Sequence, residues 1–139
     1  MKTITPSPLL KFAFGADAAV SGAVALLQLG LSTYLGSLLN MPGALLSGTG
    51  LFLAGYATLL LVLARSKAVW SALVQFIAIG NIGWALGCIG LMVAGIVQPG
   101  ALGVAFLLVQ AVTVLVFAAL QLVGLKTSEQ VGQLQPAHA

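Results

Sequence analysis

The chain has 139 residues, of which 60% are hydrophobic and only 5% charged, and its mean hydropathy is +1.16. An average soluble domain carries about 25% charged residues, so this composition excludes a water-soluble globule and indicates a lipid bilayer as the solvent. The five Lys and Arg residues behind the net charge of +3 are scattered at the ends of apolar segments, whereas binding of a phosphate backbone needs clustered cations. Nucleic acid is therefore not an expected partner.

The first apolar stretch predicts a membrane-spanning helix over residues 10–31, with Asp17 as the one acidic residue inside it. A span needs roughly 20 mainly apolar residues to cross about 30 Å of hydrocarbon. Residues 32–40 make this stretch too long for one perpendicular span, and they include Tyr34 before an Asn-Met-Pro-Gly turn. We interpret residues 32–40 as a short helix or turn at the outer interface. A long, tilted first helix is the alternative.

Three further stretches predict spans over residues 44–64, 69–97 and 101–125. The connections between them are short and carry charge or turn residues, so consecutive helices must be antiparallel neighbours. The predicted fold is an all-α membrane protein, an up-down bundle of four transmembrane helices with short loops. It forms a single domain over residues 1–126, followed by a flexible cytoplasmic tail over residues 127–139.

The distribution of positive charge predicts the orientation. With four spans, all five Lys and Arg residues fall on one side of the membrane and none on the other. These residues are Lys2, Lys11, Arg65, Lys67 and Lys126. Because Lys and Arg in short loops stay in the cytoplasm, both termini are expected there.

Polar side chains inside the spans indicate which helix faces point into the bundle, because lipid offers them no hydrogen bonds. They predict a polar intramembrane cluster that opens toward the cytoplasm. Its candidate members are Asp17, Ser21, Gln75, Asn81, Gln110 and Gln121. The glutamines and Asn81 can serve as hydrogen-bonding links between helices. Asp17 has two possible interpretations: it fixes helix packing, or it is a site that relays a proton or a cation.

A strip of small residues runs along the third span, with Gly83, Gly87 and Gly90 on one face. The spacing of Gly83 and Gly87 lets two helix backbones approach closely. We therefore expect these glycines to lie against another helix. The lone cysteine, Cys88, excludes an internal disulfide.

Enzymatic chemistry needs acid, base or metal-binding groups that converge, and few such groups exist here. Asp17 and Cys88 are within spans, while Glu129 and His138 belong to the tail. No metal set, catalytic triad or nucleotide-binding loop can be assembled, so we expect no enzyme, no cofactor and no metal.

The combination of four spans with Asp17 in the first resembles, in architecture, the small multidrug-resistance exporters. That resemblance implies a proton- or cation-coupled transporter in which Asp17 exchanges protons for a cationic substrate. The family has a glutamate nearer the membrane centre and, in its dual-topology members, little Lys and Arg bias. Here an aspartate replaces it and the bias is complete, which disfavours an antiparallel dimer.

Four short segments more closely resemble a group of small bacterial four-span membrane proteins to which no activity is attached. They are Asp17-Ala-Ala-Val-Ser-Gly22, Asn40-Met-Pro-Gly43, Gly80-Asn-Ile-Gly-Trp84 and Ala105-Phe-Leu-Leu-Val-Gln110. The resemblance implies the bacterial inner membrane. We expect a non-enzymatic integral membrane protein, an accessory or oligomer-forming subunit, whose partners are the lipid bilayer and either further copies or another membrane protein.

Overall fold

The computed structural model describes residues 2–130 and contains four long helices. They are α1 (Pro8–Gly30), α3 (Gly43–Arg65), α4 (Ser71–Val93) and α5 (Ala101–Lys126), and a short helix α2 (Ser32–Leu39) follows α1. Each of the four long helices is long and apolar enough to cross a membrane. The predicted all-α bundle of four membrane-spanning helices is confirmed.

The long helices pack side by side in the order α3, α1, α5, α4. Helix α1 packs most extensively against α3, and α5 packs against both α1 and α4. Helices α3 and α4 are consecutive spans, and the expectation that consecutive helices are neighbours is wrong for them, because they stand at the two ends of this order and are not packed against each other along their backbones. Side chains alone bridge the space between them.

Glycines allow the closest backbone approaches in the bundle. A Cβ atom added at Gly124 would lie 2.8 Å from the Cα atom of Leu10, and one at Gly50 would lie 2.9 Å from the Cβ atom of Gln28. No real Cβ atom could occupy either place without a shift of the neighbouring helix. These two glycines therefore set the spacing of α1 from α5 and of α1 from α3.

The first apolar stretch is broken at Leu31, so the alternative of one long tilted helix is wrong. Helix α2 ends at Asn40, whose φ of 54° is the left-handed conformation that asparagine tolerates at a helix end. The Gly100 N–H donates to the Leu39 carbonyl over 3.1 Å. That carbonyl also occupies the place of a side chain at Gly103. Both contacts bind α2 to the start of α5.

The third span is shorter than the predicted range of residues 69–97. Its first two residues form a strand, and its last four lie beyond the end of α4. Gly95 has a φ of 71°, and the N–H groups of Ile96 and Val97 both turn back to the Leu91 carbonyl. Val97 is buried although it is not helical, and hydropathy assigned it to the span because its side chain is apolar.

A small antiparallel sheet joins three distant parts of the chain at one end of the bundle. Strand β1 (Thr3–Thr5) lies between β2 (Val69–Trp70) and β3 (Glu129–Gln130). The first residues of the predicted tail thus belong to β3 and to the turn before it, because they pair with the amino-terminal strand. Residues 131–139 of that predicted tail lie outside the described residues. All five Lys and Arg residues are in or beside the segments at this end of the bundle.

Candidate functional site

Asp17 lies at the centre of the bundle and is completely buried. Its Oδ1 atom accepts a hydrogen bond from the Ser21 hydroxyl, one turn further along α1, over 3.0 Å. Its Oδ2 atom accepts from Gln121 Nε2 on α5 over 2.9 Å and from Asn81 Nδ2 on α4 over 3.1 Å. One carboxyl group thereby connects three of the long helices.

Tyr56 brings α3 into the same network. Its hydroxyl oxygen lies 2.9 Å from Asp17 Oδ2 and 3.1 Å from Asn81 Oδ1. A phenol has a single proton, so Tyr56 donates to one of these oxygens at a time. Asn81 Nδ2 has two protons, and it also donates to Gln121 Oε1 over 3.0 Å. We call this set the Asp17 cluster; its members are Asp17, Ser21, Tyr56, Asn81 and Gln121.

The groups around Asp17 are all hydrogen-bond donors. An ionised carboxylate only accepts hydrogen bonds and has about four lone-pair positions, so hydroxyl and amide donors from four sides suit it. Within residues 2–130, every buried side-chain nitrogen or oxygen atom has a hydrogen-bond partner. Each buried nitrogen and oxygen atom of the cluster therefore has at least one hydrogen-bond partner, and the cluster links the helices to one another.

The structure brings together four of the six predicted members of the polar cluster and leaves two outside. Gln75 is exposed on the outer surface of α4, since it precedes Asn81 by six residues, or about 240° around the helix. Gln110 forms a separate pair, in which its Oε1 atom accepts from Trp84 Nε1 over 3.1 Å. The location of a polar side chain inside a span, on which these two were grouped with Asp17, does not decide which way that side chain points.

Sequence reasoning missed the hydroxyl of Tyr56 as a cluster member. The signal was present in the sequence, because Tyr56 is a hydrogen-bonding residue inside a span that contains no charged residue. A buried phenol hydroxyl needs a hydrogen-bond partner. A second link was also missed: the Thr49 hydroxyl lies 2.9 Å from Gln28 Oε1 and joins α3 to α1.

The predicted packing of the α4 glycines against another helix is not met within residues 2–130. Gly83, Gly87 and Gly90 are exposed, and a Cβ atom at any of them would meet nothing within 4 Å. The same holds for Gly80, one turn earlier. The bundle uses other glycines for its close contacts, and these four form an open strip that we call the glycine face of α4.

A cavity of about 920 Å³ lies inside the bundle, and residues of all five helices line it. Asp17 and Tyr56 belong to its wall. The cavity reaches the outer surface where α3 and α4 separate, because its lining includes the exposed side chains of Phe52, Leu59 and Phe76. The ring of Phe52 stacks on Tyr56 with 6.3 Å between centroids and on Trp84 with 5.7 Å, so three aromatic rings extend from α3 to α4.

Comparisons with protein-family models, with curated proteins and with solved structures find no match for this chain.

Proposed function

We propose that this chain is a non-enzymatic integral membrane protein of the bacterial inner membrane that works as an accessory or oligomer-forming subunit. The observation that carries the proposal is the glycine face of α4, which is exposed along the gap between α3 and α4 and where an added Cβ atom would meet no other part of residues 2–130 within 4 Å. In a bilayer, lipid tails are as apolar as leucine side chains, so helices associate by close packing rather than by a hydrophobic force. Gly83 and Gly87 have the spacing that permits such packing, here by a helix from outside the bundle.

The Asp17 cluster supports this role because its hydrogen bonds are made within one chain. Within residues 2–130, no buried side-chain nitrogen or oxygen atom lacks a hydrogen-bond partner, so none of them needs a partner subunit. Association through the glycine face would then join preformed bundles. The glycine face lies within α4, a helix that can cross the membrane, so it is in the hydrocarbon, where a second copy or another membrane protein can reach it.

The mass of the purified protein in mild detergent or nanodiscs tests the proposal. We expect the unchanged chain to form a dimer or higher oligomer and the double variant Gly83→Leu, Gly87→Leu to dissociate into monomers. Val112→Leu, at a lipid-exposed position of α5, is the matched control and should keep the wild-type mass. A monomeric wild-type protein, or a double variant with unchanged mass, would contradict self-association through the glycine face.

A second candidate is a proton- or cation-coupled transporter that uses Asp17. The observation in its favour is that Asp17 forms part of the cavity wall. Its test is a substrate-dependent proton flux in vesicles that hold a pH-sensitive dye, with loss of that flux in Asp17→Asn. A folded Asp17→Asn variant with the same flux as wild type would rule this candidate out.

A further inference from the structure

We infer that the cavity between α3 and α4 binds a neutral, lipid-soluble carbonyl compound of the quinone class, with the side-chain amide of Gln110 as its hydrogen-bond donor. The inference concerns binding alone, and it goes beyond the proposed oligomer-forming role. It needs no charge and no residue of the Asp17 cluster. Its basis is an amide group that is left unpaired beside an aromatic cavity in the middle of the membrane.

Gln110 has amide hydrogens to which no other described residue bonds. Its Oε1 atom accepts from Trp84 Nε1 over 3.1 Å. An indole nitrogen can only donate, so this bond fixes which end of the amide faces Trp84. The Nε2 atom at the other end has no hydrogen-bond partner among residues 2–130.

This Nε2 atom is open to the gap between α3 and α4. Every buried side-chain nitrogen or oxygen atom of residues 2–130 has a partner, so an unpaired Nε2 atom on the half-buried Gln110 is not sealed inside the protein. Gln110 lines the cavity of about 920 Å³ and also a smaller one of about 410 Å³ in the same gap. A molecule in this gap can therefore accept a hydrogen bond from Gln110.

The depth of Gln110 indicates where the acceptor comes from. Gln110 is about 14 Å along the helix axis from Ala101, the first residue of α5, whereas the hydrocarbon core is about 30 Å thick. No water is available at this depth, so an unpaired amide is unfavourable there until a ligand supplies an acceptor. The ester carbonyls of phospholipids are held near the headgroups, outside the hydrocarbon core. The acceptor therefore belongs to a molecule that dissolves in the hydrocarbon.

The cavity suits a flat ring with carbonyl groups at its edge. Ligand pockets typically measure about 300–1,000 Å³, which includes the size of this cavity. Its mouth lies between two helices that are not packed against each other, so a molecule can enter sideways from the lipid. Phe52 is 60% exposed at this mouth and stacks on Trp84, and Phe106 lines the cavity one turn before Gln110. A quinone ring can stack on such side chains while its carbonyl accepts from the amide.

The test compares two probes that share one ring and four methyl groups, duroquinone and durene, of which only duroquinone has carbonyls. Saturable binding to the protein in nanodiscs is measured by titration calorimetry. Affinities are expressed against the concentration of probe dissolved in the lipid, which is measured with empty nanodiscs. We expect duroquinone to bind at least about fivefold more tightly than durene, as one hydrogen bond made away from water allows. Equal binding of the two probes, or no saturable binding of duroquinone, would overturn the inference.

Three variants locate the site. Gln110→Leu keeps a side chain of similar size without the donor, so duroquinone should bind no better than durene, and durene should bind as it does to wild type. Phe52→Ala removes a ring at the mouth and should weaken both probes at least about threefold. Gln75→Leu makes the matched change at an exposed position of α4 outside the cavity lining, and it should bind both probes as wild type does.

The two probes also separate a donor from a residue that only shapes the cavity. A Gln110→Leu variant that weakens both probes equally, or neither, would refute the role of Gln110 as donor. If this variant does not fold, Phe52→Ala and the comparison of the probes on wild type decide the question. Unchanged binding of both probes by Phe52→Ala would place them elsewhere and refute the proposed site.

Nanodiscs of diether lipids, which have no ester carbonyls, test the source of the acceptor. Duroquinone should bind with the same affinity in diether and in diester nanodiscs. Clearly tighter binding in the diether lipid would show that phospholipid esters compete for the Gln110 amide. That result would overturn the assignment of the site to a quinone.

Discussion

Gln121 donates a hydrogen bond to Asp17 across 2.9 Å and so joins the last membrane-spanning helix to the first. The two residues are 104 positions apart in the chain, and both are completely buried. The same carboxylate also accepts from Asn81 on α4, and Tyr56 on α3 lies within hydrogen-bonding distance of it. Removal of this one acceptor should therefore weaken the packing of all four long helices.

Asp17→Leu should be the most destabilising single change in the cluster. It leaves the donors of Ser21, Asn81 and Gln121 in the bundle without their shared acceptor. Hydrogen bonds between membrane helices contribute about 0.6 kcal/mol on average, but a buried donor left unpaired costs about 1–3 kcal/mol. We expect the free energy of unfolding, measured by titration with a denaturing detergent, to fall by at least about 2 kcal/mol.

Asp17→Asn should lie between wild type and Asp17→Leu in stability. The amide keeps one acceptor oxygen, but its NH2 group faces donors where the second carboxylate oxygen had accepted. The same detergent titration ranks the three proteins. A leucine variant as stable as wild type would show that the cluster does not hold the bundle together.

Two glutamines near the same end of the bundle should respond in opposite ways to replacement by leucine. Gln121→Leu removes a buried donor and acceptor and should cost about 1–2 kcal/mol of unfolding free energy. Gln75→Leu replaces an exposed amide on the outer surface of α4 and should leave stability unchanged or raise it. Thermal melts of both variants in the same detergent provide the comparison, and equal losses of stability would contradict the placement of Gln75.

The glycines of the bundle should fall into two classes when changed to alanine. Gly124→Ala would force a Cβ atom to within 2.8 Å of the Leu10 backbone, and such overpacking costs about 1–3 kcal/mol. Gly87→Ala adds a methyl group to open space on the side of α4 that borders the gap toward α3, so the stability of the single bundle should not fall. The two alanine variants are compared by thermal unfolding under conditions that keep the protein monomeric. A Gly87→Ala variant that loses as much stability as Gly124→Ala would refute this division.

Hydropathy predicts the spans well because the bilayer demands long apolar helices whatever the tertiary packing. It places the end of α4 four residues too late, because apolar residues continue after the helix ends and Val97 packs against the core without being helical. The small sheet is invisible in local sequence because its three strands come from opposite ends and the middle of the chain. Its pairing depends on where the helices bring those segments.

The candidate site is predicted only in part, for a similar reason. The spacing of Asp17 and Ser21 on one helix puts them on the same face, and the structure joins them by a hydrogen bond. Whether Gln75 or Gln121 meets Asp17 depends on how α4 and α5 are rotated against α1, and a single sequence holds no measure of that rotation. Likewise, glycine spacing predicts a packing face on α4 but does not say whether its partner belongs to the same chain.

The orientation of the bundle remains a prediction from the distribution of Lys and Arg. Alkaline phosphatase fused near Pro42 or Pro99 should be active, because these loops are expected outside the cytoplasm. Fusions after Lys67 or Lys126 should be inactive. The reverse pattern of activity would place both termini outside and contradict the orientation.

Cross-linking through single cysteines tests the proposed association through the glycine face most directly. In a Cys88→Ala background, Leu86→Cys puts a thiol beside the glycine face at a position that is 67% exposed in the single bundle, without removing any glycine. Val112→Cys puts one at a comparably exposed position of α5. Under mild oxidation in native membranes, Leu86→Cys should give disulfide-linked dimers and Val112→Cys should remain monomeric. Equal cross-linking at both positions, or none at Leu86→Cys, would contradict association through α4.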